Sequence, residues 1–202
     1  AGAFDGVPGE PDHPRGTHIG FEDDDGALLI AEAGFAPAAG GGENSSNKIA
    51  AGIWGYTEKL DDLAAATQSD SNGFYLLGSY QFYNDDHRTI AGFVHSGWAD
   101  GDTAAVGWSL QAGVVANGWV SSRPNSEIGA GFSDSRNSDK AIQAAGGGRT
   151  LERSEYGFDI YYRDSIGHGI SLQPEFQYIC NPGTDPSVDN AAVYGMRLGV
   201  VF

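Results

Sequence analysis

The 202-residue chain carries 27 Asp and Glu against 11 Lys and Arg, a formal net charge of −16. That balance argues against nucleic-acid binding, because phosphate recognition needs basic patches. Hydrophobic residues make up 40%, yet no window approaches the twenty or so uninterrupted apolar residues of a membrane helix; a helical membrane protein is excluded, whereas a barrel, whose apolar content is diluted by its lumen face, is not.

The chain begins at Ala1 in a polar stretch, residues 1–16, without a signal peptide, as expected of a processed chain or a fragment. From there, period-two alternation predicts about ten strands. In order these are Thr17–Glu22, Ala27–Phe35, Lys48–Tyr56, Phe74–Tyr83, Thr89–Trp98, Ala104–Asn117, Glu127–Ser133, Glu155–Arg163, Ile170–Cys180 and Ala191–Phe202. The nearest approach to an amphipathic helix, Lys59–Thr67, is short. The 31 glycines, about twice average usage, recur within the strand-like stretches and suit a curved or closely packed sheet.

Four of these segments are two-faced. In Ala104–Asn117, Val106, Trp108, Leu110, Ala112 and Val114 alternate with Gly107, Ser109, Gln111 and Gly113. In Glu155–Arg163, Tyr156, Phe158, Ile160 and Tyr162 oppose Glu155, Gly157, Asp159, Tyr161 and Arg163. In Ile170–Cys180 the apolar set ends in Phe176, Tyr178 and Cys180, against Ser171, Gln173, Glu175 and Gln177. The last segment places Tyr194, Met196, Leu198 and Phe202 opposite Gly195, Arg197 and Gly199. Side chains alternate across a strand, so each segment has one greasy and one polar or small face.

A soluble sandwich also alternates, so this pattern alone leaves sandwich and barrel open. Two details favour the barrel. Aromatics sit toward the ends of the apolar faces (Tyr156, Tyr162, Tyr178, Tyr194, Phe202), as interfacial girdles require. Connections also alternate in length: Asn84–Arg88, Val120–Ser126 and Asp164–Gly169 are short, while Leu60–Gly73, Asp134–Ser154 and Asn181–Asn190 are longer and polar. Short turns on one side and long loops on the other are a barrel asymmetry; Pro37–Asn47 is the exception.

Chemistry-bearing motifs are sparse. A lone Cys180 precludes an intrachain disulfide or a multi-cysteine metal site, and it reads as a small hydrophobe. The runs Glu22-Asp23-Asp24-Asp25, Asp61-Asp62 and Asp85-Asp86 read as solvated turns, with cation binding (calcium included) at a membrane surface as the sharper alternative. Asp85-Asp86-His87 resembles the acidic-histidine pairing of a membrane protease but falls in a short turn on the wrong side. His13, His18, His95 and His168 lack ligand spacing. Gly40-Gly41-Gly42 and Gly146-Gly147-Gly148 read as connections, since no helix follows either to make a phosphate cradle. No enzyme, metal or cofactor is expected.

The segment Ser171–Phe202 resembles the end of the carbohydrate-selective porin family, OprB-type. The matching pieces are Gln173-Pro174-Glu175-Phe176-Gln177-Tyr178, the turn Asn181-Pro182-Gly183, and Gly195-Met196-Arg197-Leu198. Asn117–Phe132, with its Arg123-Pro124 turn, Leu28–Phe35 and Lys48–Thr57 extend the likeness over most of the chain beyond Gly16. The resemblance implies a transmembrane antiparallel outer-membrane β-barrel of about sixteen strands, of which this chain supplies about ten as the C-terminal portion. A missing N-terminal part or another chain would then complete the wall. Residues 1–16 form a polar N-terminal segment and residues 17–202 the barrel domain.

With the apolar faces toward lipid, the opposite faces line a pore. The expected lumen residues are Glu32, Lys48, Trp54, Tyr56, Asp159, Tyr161, Arg163, Gln173, Glu175, Gln177 and Arg197, with Glu127, Glu155, Gln111 and Tyr75 beside them. Amides donate and accept toward sugar hydroxyls, and aromatic faces stack on sugar C–H surfaces. The competing reading is that these charges pair across strands and stiffen the wall. The function expected is passive diffusion of mono- or oligosaccharides across the outer membrane of a Gram-negative-type bacterium, among lipid and lipopolysaccharide; a structural or adhesive barrel without an open pore is the alternative.

Overall fold

The computed structural model describes residues 1–6, 26–37, 47–146, 150–167 and 169–201. Its strands in chain order are β1 (Gly2–Asp5), β2 (Ala27–Phe35), β3 (Lys48–Tyr56), β4 (Leu60–Asp61), β5 (Gln68–Ser69), β6 (Asn72–Asn84), β7 (Thr89–Ala99), β8 (Val106–Asn117) and β9 (Glu127–Asn137). A short helix, α1 (Asp139–Ala144), precedes β10 (Ser154–Gly167), β11 (Ile170–Cys180) and β12 (Ala191–Val200). Ten strands form one antiparallel sheet in the order β1-β2-β3-β6-β7-β8-β9-β10-β11-β12, and β4 and β5 make a separate small hairpin.

Nearly every strand pairs with its sequence neighbour, so each antiparallel connection needs only a turn or loop. Among the described residues the sheet has two open edges, β1 and β12. Among the described residues it is a single layer: Ala50 is the one buried hydrophobic side chain, while Ile49, Ile53, Phe158, Met196 and Leu198 stand exposed and Tyr194 reaches 81% exposure. A soluble sheet covers such a face with a second layer, because a large apolar patch in water is unfavourable. The face that alternation marked as greasy is continuous across the register, from Ile53 opposite Phe74, through Trp98 opposite Trp108, to Phe176 opposite Tyr194.

Several boundaries move. β9 runs on to Asn137 and β10 begins at Ser154 and ends at Gly167, beyond the predicted Ser133 and Arg163. Residues such as Asp134, Ser135 and Arg136 are poor strand formers alone, but pairing on both sides overrides that preference. At fourteen residues, β10 is the longest strand among the described residues. α1 was not anticipated. Ser138 caps it, its Oγ accepting from Ala141 N at 3.1 Å, with Asp139 in the first turn. Gly2–Asp5, inside the segment expected to be polar, pairs with Ala27–Ile30 as a short edge strand. The predicted strand Thr17–Glu22, the run Glu22–Asp25, Gly40–Gly42, His13, His18, His168 and Phe202 lie outside the described residues.

Connections sort to two ends as expected. Residues 85–88, residues 118–126 and Gly169 lie at one end; residues 57–71, 100–105, 138–146, 150–153 and 181–190 lie at the other. The second group is laced together. Lys140 of α1 pairs with Asp62 of the first loop and sits 2.9 Å from Asp102 Oδ1 of the second. Glu152 N donates to Thr184 O at 2.7 Å, and Asn137 Nδ2 donates to Thr184 Oγ1 at 2.8 Å, tying the fourth loop to the third. Asp62 is at the centre of this clasp. Its Oδ1 accepts the N–H groups of Ala64 and Ala65 at 2.9 and 3.0 Å. The Lys140 ammonium first, and then these amides, hold its carboxyl down at about 2.

Candidate functional site

Directly opposed residues of antiparallel strands share a face, so the register assigns every candidate residue. One lateral row across the sheet reads Lys48, Ser79, Phe93, Gly113, Gly131, Asp159, Gln177. A second reads Glu32, Gly52, Tyr75, Gly97, Ser109, Ser135, Glu155. Tyr161 opposes Gly129 and Glu175, Glu175 opposes Gly195, Arg163 opposes Glu127, and Gln173 opposes Arg197. Trp54 and Tyr56 follow Gly52 at two-residue steps on β3. All eleven predicted residues therefore share one face, opposite the apolar one.

That face has a construction rule. Its large side chains stand opposite glycines of the neighbouring strand and lie down over them. A Cβ at Gly52 would fall 2.2 Å from the Tyr75 ring, at Gly129 2.1 Å from Tyr161, and at Gly73 2.6 Å from Trp54. At Gly113 it would meet Phe93 at 2.6 Å, at Gly131 Asp159 Oδ1 at 2.6 Å, and at Gly195 Glu175 at 2.7 Å. A non-glycine residue in these positions would force each ring or carboxylate upright, since strand side chains otherwise stand perpendicular to the sheet. Glycine lets the aromatics lie flat, one face on backbone and the other open. The high glycine content thus serves to thin the polar side of the wall.

Much of the polar chemistry on this face is internally paired. Tyr75 Oη donates to Glu32 Oε2 at 3.0 Å, and Lys48 Nζ to Glu32 Oε1 at 3.4 Å. Tyr161 Oη donates to Glu127 Oε1 at 2.8 Å. Gln173 donates to Glu175 Oε2 at 3.2 Å, and Arg197 lies 3.7 Å from the same oxygen. The expected charge ladder of the last strands therefore forms only in part: Arg197 and Glu175 join, whereas Asp159 and Arg163 make no ion pair among the described residues. Asp159 and Glu175 sit diagonally, because Asp159 faces Gln177 and Tyr161 faces Glu175. Trp54 and Tyr56 meet edge-on, centroids 6.3 Å apart at 88°.

Sequence reasoning missed Phe93. It lies on the polar face next to His95 (centroids 4.9 Å apart), and its apolar character concealed its side; the signal lay in its register with Gly113, which one sequence does not display. Asp85-Asp86-His87 is a turn-forming unit. Asp85 Oδ1 accepts from the backbone of His87 and Arg88 at 2.9 and 2.7 Å, and its Oδ2 accepts from Tyr83 Oη at 2.6 Å. The Tyr83 hydroxyl, then these amides, hold the Asp85 carboxyl below the usual carboxylate range. Among the described residues no three His, Cys, Asp or Glu side chains converge as a metal site.

Comparison with known proteins agrees with this geometry. Porin B of Pseudomonas aeruginosa is 25% identical over 232 residues, covering 100% of this chain and 51% of its own length. The high-pH structure of Pseudomonas putida OprB superposes with a TM-score of 0.77 at 24% identity, over 88% of this chain and 49% of that one. The chain thus spans about half the length of the relatives it matches. The model of the carbohydrate-selective porin, OprB family, matches residues 1–202. The chain belongs to the OprB family of carbohydrate-selective porins.

Proposed function

We propose that this chain forms the C-terminal wall of an outer-membrane barrel of about sixteen strands, through which mono- or oligosaccharides diffuse passively. The observation that carries the reading is a ten-stranded single layer with one continuous apolar face and one glycine-flattened polar face. Lipid covers the first; water and solute occupy the side of the second. Closure requires partners for the free edges β1 and β12, supplied by a preceding part of the chain or by another chain. The laced long loops then face outward among lipopolysaccharide, and the short turns face the periplasm of a Gram-negative-type bacterium.

Passage is equilibrium diffusion without energy coupling. Flat-lying Tyr75, Trp54 and Tyr161 offer ring faces to sugar C–H surfaces, while Gln173, Gln177 and the paired carboxylates exchange hydrogen bonds with hydroxyls. Charges of both signs, paired across strands as Glu32–Lys48 and Glu175–Arg197, suit uncharged solutes better than a ring of one sign would. The test is conductance of the purified full-length protein in planar bilayers together with swelling of reconstituted liposomes in sugar. Stable aqueous channels and sugar-dependent swelling are expected. A folded barrel that never conducts would instead establish the structural or adhesive alternative.

A further inference from the structure

We infer that the row from Phe93 to Gln177 is a sugar-contact subsite within the wall, an inference that rests on the sugar passage proposed for this face. Elsewhere on the polar face the carboxylates are taken up by Tyr75, Lys48, Tyr161 and Arg197. Here they are not: among the described residues the side chains of Gln111, Asp159 and Gln177 make no hydrogen bond, and all three border the same concavity. Phe93 leans over Gly113 from one side and Asp159 leans over Gly131 from the other. Gly113 and Gly131 are directly opposed, so an aromatic ring and a free carboxylate face each other across about one strand spacing, roughly 5 Å.

Gln111 and Ser133, paired in the adjacent row, close one side, and Gln177 beside Asp159 extends the other. Together these groups border a concavity of about 330 Å³, at the lower end of ordinary ligand pockets and of a size for one sugar ring. A sugar needs an apolar plate for its C–H face and acceptors and donors around its rim; Phe93 supplies the first, and Asp159, Gln111 and Gln177 supply the rest. Phe93, with no polar atom of its own, packs against His95 and over Gly113 yet stays 39% exposed on this polar face.

The test uses the full-length channel in planar bilayers, reading the fractional block of ion current by added glucose and maltotriose relative to each variant's own sugar-free current. Phe93→Ala is expected to raise the half-blocking sugar concentration about fivefold, equal to about 1 kcal/mol. Gly131→Val, which fills the floor of the trough, is expected to do the same by a different route. Leu77→Ala, on the same face but outside the trough, is the control and is expected to match the parent. Half-blocking concentrations within twofold of the parent in either trough variant would overturn the subsite. A parent that conducts ions but is not blocked by either sugar would overturn the sugar reading itself, a failure visible before any variant is compared.

Discussion

Gly129→Ala isolates the flattening of the polar face. The added Cβ would lie 2.1 Å from a Tyr161 ring carbon and 2.7 Å from its hydroxyl oxygen. Ordinary carbon contact begins near 3.5 Å, so the ring must retreat by at least about 1.4 Å. With Glu175 opposite it on β11, the ring is expected to turn outward from the wall. That movement breaks the 2.8 Å hydrogen bond to Glu127. A hydrogen bond to a charged group is worth about 1.5–3 kcal/mol, and a wet wall places this one near the low end. Replacing a strand glycine returns about 0.5–1 kcal/mol of chain entropy. The net loss of stability is then about 1 kcal/mol or less, while the lumen narrows by a standing tyrosine. The expected result is a barrel of near-parental thermal stability with lower single-channel conductance, and Gly129→Ala combined with Tyr161→Ala recovers the parental conductance. A single variant with undiminished conductance, or a double variant as narrow as the single one, would refute this account of the glycines.

Leu76 and Leu77 are adjacent and chemically identical, yet the register sends them to opposite faces. Leu76→Arg is expected to cost about 2–4 kcal/mol of folding into lipid vesicles, and Leu77→Arg far less; equal costs by urea titration would mean the face assignment is wrong. Lys140→Met should leave the strands intact but loosen two loops at once, increasing hydrogen exchange at Ala64 and Ala65 and around Asp102 more than Arg153→Ala does, since among the described residues the Arg153 side chain pairs with the exposed Asp139 and not with Asp62 or Asp102. The pH dependence of the same clasp follows from Asp62, whose carboxyl titrates at about 2 in the folded protein. A depressed pKa stabilises above the ordinary carboxylate range and ceases to do so as pH falls through the folded value. Exchange protection of Ala64 and Ala65 should therefore be flat from pH 8 to about 5 and fall between about 4 and 2; protection lost near neutrality would contradict it.

Alternation is a local property, and the sequence by itself therefore determined most of the architecture: nine of the ten predicted strands coincide with strands of the sheet, and the tenth lies outside the described residues. The side of each residue on β3, β10, β11 and β12 followed from the same periodicity, because a strand cannot change faces without a bulge. The long and short connections could likewise be read from polar runs. What remained hidden depends on which residue opposes which. Phe93 lies on the polar face, opposite Gly113 of β8, whereas hydropathy alone assigns a phenylalanine to the apolar one. That Gly129, Gly52 and Gly113 are floors under Tyr161, Tyr75 and Phe93 is a cross-strand relation between residues 20 to 32 positions apart. The extension of β9 and β10 through polar residues, the Ser138-capped helix and the Lys140 clasp arise the same way, from neighbours brought in by the sheet overriding weak local preference. One strand's pattern specifies its two faces, and only lateral pairing decides which groups on a face are neutralised by neighbours and which, like Asp159 and Gln177, stay free to meet a solute.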